Sequence, residues 1–284
     1  MSKLSQYFSL LRISHWSKSV FVFLGFFYTP LSGYFIPAVF AALSFCLISS
    51  AVYIYNDLYD REEDLAHPLK KKRPLTSGSV SVYEALGLMC LLLVVGLFLG
   101  ALISKALAWI LVGYLLVNWS YNQLLKIIPV VDVLCIAVGF LLRVLAGTLG
   151  IGLSISVWLI VTATLLSLFI ALNKRRLELR LNLKQNTRKV LKRYSPDVLN
   201  RLITGTGCSC FIIYFSYVIF IKEQSFYFIL TLPFAAFALW RFAWLTMQKV
   251  VTDDPVDLFL HDNLSRFNLW CFAVLTFMAL AQTH

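Results

Sequence analysis

The sequence predicts an all-α, polytopic membrane bundle of about nine transmembrane helices. Hydrophobic residues make up 60% of the chain and charged residues only 14%, against about 25% charged in a soluble domain. Apolar runs of about 20 residues, the length that crosses a bilayer core, recur along the whole chain. The bases between them are distributed unevenly: 21 of the 25 Lys and Arg residues fall in alternate connections, as the positive-inside rule expects.

The expected spans are 17–31, 35–57, 82–103, 105–122, 131–151, 155–176, 199–221, 225–247 and 264–282, the first of them short. It follows a polar, basic start (Lys3, Arg12, Lys18), and no small-residue cleavage site follows Val20–Tyr28. It therefore reads as a first helix and not as a signal peptide. Pro30, Pro37, Pro68, Pro74, Pro129, Pro196 and Pro255 stand at or near span ends, where proline is tolerated, while Pro233 falls inside the eighth span and is expected to kink it. With no internal repeat and no low-complexity stretch, 1–284 reads as one integral-membrane domain.

An amino terminus in the cytoplasm puts the loops near 57–81, 122–130, 173–201 and 247–264 on the same side, leaving only Lys105 and Lys222 opposite and Arg143 and Arg241 within helices. Every polar constellation then opens to the cytoplasm. This argues against a transporter or channel, which carries ionisable groups along a path through the membrane. The net charge of +11 does not indicate nucleic acid, because the bases lie between apolar runs and form no face interleaved with stacking aromatics. The six cysteines all lie inside apolar runs without zinc or redox spacing, and read as small buried hydrophobes.

The most informative stretch runs from Ser50 to Gly78. An apolar helix ends in Asn56-Asp57, followed by Asp60 and Asp64. On a helix, spacings of three and four put all three carboxylates on one face. Such a stack repels itself unless a cation sits among the acids, and oxygen-only ligands suit Mg²⁺, which shares its shell with waters and substrate phosphates. Lys70-Lys71-Lys72-Arg73 follow directly. A basic run beside a membrane helix is ordinarily just a solvated loop. The regular aspartate spacing beside it is what suggests a site for a Mg²⁺-bound diphosphate.

A second constellation, Asn173-Lys174-Arg175-Arg176-Leu177-Glu178, ends the sixth span, four helices after the first. The two would face each other in a pseudo-repeated bundle. Arg143, near the middle of the fifth span, is costly in a membrane unless paired, and either Asp132 or a helix carbonyl would serve a purely structural arginine there. His15 and His67 have weaker claims and read first as packing residues.

The aspartate pattern and the Arg73-Pro74-x-x-Ser77-Gly78 after it resemble the first motif of the UbiA superfamily of membrane prenyltransferases. Ordinary members carry a second aspartate-rich motif where this chain has Lys174-Arg175-x-x-Glu178. That departure resembles the decaprenyl-phosphate 5-phosphoribosyltransferase branch. So do His15-Trp16-x-Lys18, His67-Pro68-x-Lys70-x-x-Arg73-Pro74, Tyr121-x-x-x-x-Lys126 with Asp132, Arg143-x-x-x-Gly147, Arg188-x-x-Leu191-x-x-Tyr194, and Pro255-x-x-Leu258 leading to Asp262. The chain differs from the branch at Ser19, at Tyr121-Asn122 and at Asn173-Lys174-Arg175-Arg176.

The resemblance implies a multi-pass protein of the bacterial cytoplasmic membrane with its active site facing the cytoplasm. Its reaction would be a Mg²⁺-dependent transfer of 5-phosphoribose from phosphoribosyl diphosphate to a polyprenyl phosphate. Asp57, Asp60 and Asp64, with Asn56 as a neutral oxygen ligand, would hold the metal. Lys18, Lys70, Arg73, Tyr121, Lys126, Arg143, Lys174 and Arg175 would bind the substrates, and Glu178 would order the bases or hold a second metal. The expected partners are the two substrates and the surrounding membrane lipids, and the sequence does not specify whether the chain forms a homo-oligomer. The rival reading is a conventional prenyltransferase acting from a prenyl diphosphate on an aromatic acceptor.

Overall fold

In a computed structural model, residues 3–27, 32–65, 70–182, 194–222, 226–248 and 254–282 are described, and helices are joined by turns with no strand among them. His67, Pro68, Arg188 and Leu191 of the sequence motifs lie outside the described residues. The helices are α1 (Lys3–Leu11), α2 (Leu24–Phe27), α3 (Phe35–Tyr59), α4 (Arg61–Leu65), α5 (Val82–Ile103), α6 (Lys105–Gln123), α7 (Val131–Ala146), α8 (Val157–Asn182), α9 (Pro196–Phe220), α10 (Phe226–Leu245), α11 (Pro255–His261) and α12 (Asn263–Gln282).

Seven of the nine expected spans are, among the described residues, helices long and apolar enough to cross a membrane: 35–59, 82–103, 131–151, 157–180, 196–220, 226–245 and 263–282. The protein is an integral, multi-pass membrane protein. The 105–122 stretch forms α6, whose last turns carry Asn118, Asn122 and Gln123. The 17–31 stretch is different: Ile13–Phe23 is a 3₁₀ helix that passes into the four-residue α2. Three serines, a histidine and a lysine interrupt its apolar pattern. Pro233 sits inside α10, which runs through it.

The chain divides into two compact units, residues 1–125 with 142–154, and residues 126–141 with 155–284. In the first, α3 is the central element. Ala38, Ala41, Phe45, Ile48 and Val52 on α3 pack with Leu107, Leu111 and Tyr114 of α6 and with Val22 and Ile151. Ala51 and Ile54 pack with Leu10 of α1, Leu75, Val80 and Ala85. Ser81 and Glu84 form a reciprocal cap at the start of α5. Gly147 allows a close crossing, since a Cβ there would lie 1.6 Å from the Val22 carbonyl oxygen. In the second unit α8 packs on α9 and α10 on α12. Arg241 of α10 holds Asp262, at the start of α12, through two bonds of 3.0 and 2.8 Å. That pair, with Ser265, draws the Asp262 carboxyl down to about 2.

Candidate active site

The aspartate stretch is an elbow and not one continuous helix face, which corrects the sequence expectation. Helix α3 stops at Tyr59, Asp60 caps it, and α4 starts at Arg61. Aspartate is a poor residue for a helix interior because its side chain competes for backbone donors. The ladder nevertheless carries across the break, with Asp60 N on Asn56 O at 2.9 Å and Asp64 N on Asp60 O at 2.8 Å. Asp57 and Asp64, two turns apart, stay on a common side and are both buried, while Asp60 is partly exposed.

Arg73 joins the two buried acids. Its Nη1 donates to Asp57 Oδ1 at 3.0 Å and to Asp64 Oδ2 at 2.5 Å. Lys70 Nζ lies 3.3 Å from Asp64 Oδ1. The Arg-Pro turn that presents these bases closes with Ser77 N on Arg73 O at 2.8 Å. Gly78 follows at φ 75°, the left-handed conformation that glycine takes without strain. Asn56 is held by Asn122 of α6, whose side-chain amide donates to its Oδ1. One guanidinium nitrogen thus lies within reach of two buried carboxylates, at a point where positive charge is favoured. The donors around it are carboxylate and amide oxygens, so the residues present fit a hard divalent cation.

Arg12 was visible in the sequence only as one of the cytoplasmic bases. Its Nη2 donates to Asp57 Oδ1 at 2.5 Å, and its guanidinium lies 4.8 Å from the centre of the Tyr53 ring. No local spacing pointed to this contact, because 45 residues separate the partners.

Lys18 and Arg143 are both buried in the first unit. Lys18 Nζ lies 3.0 Å from His15 Nδ1. Arg143 donates to the Tyr114 hydroxyl at 3.1 Å and sits over the Phe45 and Tyr114 rings at 4.9 and 5.0 Å. Two aromatic faces and a phenol are therefore among the partners of this intramembrane cation. Tyr121 is half-buried on α6.

In the second unit Asp132, in the first turn of α7, meets Arg175 of α8. Arg175 Nε lies 2.6 Å from Asp132 Oδ2, in an ion pair whose hydrogen-bond alignment is poor, and the same guanidinium pairs with Glu178. Tyr194 donates to Asp132 Oδ1 at 2.5 Å and accepts from Val130 N at 2.7 Å. Burial, helped by Asp132, pushes the Tyr194 phenol up to about 12, so it stays a donor at neutral pH. Val130 takes φ 72°, rare for a β-branched residue, and the Tyr194 oxygen holds its strained N–H. Arg175 is therefore paired with two acids, Asp132 and Glu178. Lys174 is half-buried beside it, and Lys126 lies in the 3₁₀ turn before α7. Arg176 turns to α10 instead, donating to Asn173 Oδ1 at 2.6 Å, Thr246 Oγ1 at 2.5 Å and the Ala243 carbonyl at 2.5 Å.

Comparison with known proteins places this geometry. Residues 19–272 match the model of the UbiA prenyltransferase family. The decaprenyl-phosphate phosphoribosyltransferase of Corynebacterium glutamicum is 32% identical over 198 residues, covering 66% of this chain but only 60% of that relative's length. The enzyme of the same name from Mycolicibacterium smegmatis is 29% identical over 238 residues, 79% of this chain and 74% of that one. A UbiA homologue from Archaeoglobus fulgidus, solved with GPP and Mg²⁺, shares the fold at a TM-score of 0.73 and 19% identity, with 97% of this chain and 99% of that chain covered. By its sequence and its fold, the chain belongs to the UbiA prenyltransferase family.

Proposed function

We propose that this protein transfers 5-phosphoribose from phosphoribosyl diphosphate to a polyprenyl phosphate, with Mg²⁺ as cofactor and at the cytoplasmic face of a bacterial inner membrane. The observation that carries the reading is on α8. Where ordinary family members have a second acidic metal motif, this chain has Lys174-Arg175-x-x-Glu178, with Arg175 buried between Asp132 and Glu178. The relatives named decaprenyl-phosphate phosphoribosyltransferase support it.

Asp57, Asp60 and Asp64, with Asn56, would hold the metal. When bound, the metal would neutralise charge building on the departing diphosphate. Arg73 and Lys70 bind the same diphosphate. Lys18, Tyr121, Lys126, Arg143, Lys174 and Arg175 are assigned to the donor's 5-phosphate and the acceptor phosphate. The bond between C1 of the ribose and the diphosphate oxygen breaks, with its electron pair leaving on diphosphate. A lipid phosphate oxygen forms the new bond to C1. That oxygen is already anionic near neutral pH, so no side chain has to remove a proton. The lipid tail lies against the apolar helix faces.

Incubating the purified protein with phosphoribosyl diphosphate, a polyprenyl phosphate and Mg²⁺, then analysing the lipid by mass spectrometry, tests the proposal. The lipid should gain one phosphoribosyl group per diphosphate released.

A further inference from the structure

Arg12 takes no part in the assignment above, yet it occupies that assignment's key carboxylate. Asp57 Oδ1 carries two guanidinium contacts, Arg12 Nη2 at 2.5 Å and Arg73 Nη1 at 3.0 Å. Among the described residues, Arg12, Arg73 and Lys70 sit on two buried acids, Asp57 and Asp64. A divalent cation added to this cluster meets positive charge already in place, so it binds only if a resident cation moves away.

The two arginines are not equally free to move. Arg73 bridges both acids and is fixed by its turn, with Arg73 N on Lys70 O at 2.9 Å and Ser77 N on Arg73 O at 2.8 Å. Arg12 contacts one acid. Its backbone is left-handed, at φ 50° and ψ 51°, a conformation that is strained for arginine and that recurs at functional positions. The backbone around it is anchored independently of the ion pair: Ser50 Oγ donates to the Leu11 carbonyl at 2.8 Å and accepts from Trp16 Nε1 at 3.0 Å. The Arg12 side chain can therefore leave Asp57 while its backbone stays beside the elbow. From there a guanidinium meets an incoming diphosphate as a charge-assisted, two-pronged donor.

We propose that Arg12 is an exchange cation of the aspartate elbow: it holds Asp57 when no divalent cation is present and passes to the diphosphate oxygens when a metal–diphosphate occupies the site. This rests on the assignment of Asp57 to the metal. It adds a second, ligand-dependent partner for Arg12 and an order of events, with the arginine leaving its acid as the metal arrives.

The test uses two probes without the lipid or the sugar donor: Mn²⁺ alone, followed by electron paramagnetic resonance, and Mg²⁺ with inorganic diphosphate, followed by calorimetry. It compares the wild type, Arg12→Ala, Arg12→Met, which keeps an unbranched side chain without the charge, and Asp57→Asn. Thermal unfolding identifies which variants are folded. In a folded Arg12 variant, Mn²⁺ alone should bind more tightly and Mg²⁺-diphosphate more weakly than in the wild type, each by about threefold or more, the factor expected of a part-exposed ion pair. Arg12→Lys should recover much of both. Changes of the same sign overturn the proposal: both weaker means a structural role, and both tighter means simple competition. Unchanged affinities in both Arg12 variants overturn it too. If Asp57→Asn leaves Mn²⁺ binding intact, the metal assignment fails, which is a separate result.

Discussion

Arg175 Nε and Asp132 Oδ2 lie 2.6 Å apart, and the two side chains are 1% and 0% exposed. The pair ties α8 to the first turn of α7, and it gives a counter-charge to a buried arginine that water does not reach. Removing one partner of a buried pair leaves the other charged and desolvated, which costs about 3–5 kcal/mol. Asp132→Ala should therefore lower stability by roughly that amount. Asp132→Asn, which keeps an acceptor for Tyr194, should lower it less. Thermal or denaturant unfolding of the detergent-solubilised protein checks the order.

Tyr194 joins that pair to a strained backbone. Its phenol is raised to about 12 in the folded protein, above the ordinary value of about 10. A group raised on folding contributes stability that is fully present below its unfolded pKa and is lost as the pH rises through the folded one. The wild type minus Tyr194→Phe difference in stability should thus be flat between pH 6 and pH 9 and should shrink between about 10 and 12. Val130, largely exposed at φ 72°, should accept glycine without loss of stability, because relief of left-handed strain of about 1 kcal/mol offsets the added chain entropy.

The bundle was readable from the sequence because membrane helices announce themselves by length and hydropathy. The Asp57–Asp64 relation was readable because a separation of seven is two helical turns. The break at Asp60 was not, since the same spacing suits a continuous helix. The partners of Arg143, Arg12 and Arg175 were hidden for a common reason. Tyr114, Asp57 and Asp132 lie 29, 45 and 43 residues away in the chain, and only tertiary packing brings them together. The α8 motif reads as basic in the sequence, whereas in the fold Arg175 pairs with two acids, Asp132 and Glu178.

Asp57→Asn keeps the shape of the elbow and removes the charge that draws a cation. Turnover should fall to background while the protein stays folded, with an unfolding temperature somewhat below the wild type's because Arg12 and Arg73 lose a buried charge partner. Full turnover at ordinary Mg²⁺ would contradict the metal assignment. Lys174→Ala should raise KM for phosphoribosyl diphosphate more than for the lipid, and a change confined to the lipid would mean that the two substrate assignments are exchanged.

The charge distribution predicts sidedness. A cysteine introduced at Ser79 should react with an impermeant reagent only from the cytoplasmic side, and one at Lys105 only from the opposite side. Both measurements belong in a background where the exposed native Cys90 and Cys208 are replaced by serine. Reaction of position 79 from outside would reverse the orientation.

The most direct test of the phosphoribosyl assignment is donor choice by the purified protein in Mg²⁺. Three mixtures are compared: phosphoribosyl diphosphate with polyprenyl phosphates of several lengths, the donor analogue lacking the 5-phosphate with the same lipids, and a prenyl diphosphate with an aromatic acceptor. Binding of the lipid tail by apolar burial acts alike on ground and transition states. Shortening the lipid should therefore raise KM and leave kcat little changed, and the analogue should lose kcat. The account predicts phosphoribosyl-lipid from the first mixture and no prenylated aromatic from the third. Turnover of the third mixture without the first would contradict it and make the protein a conventional prenyltransferase.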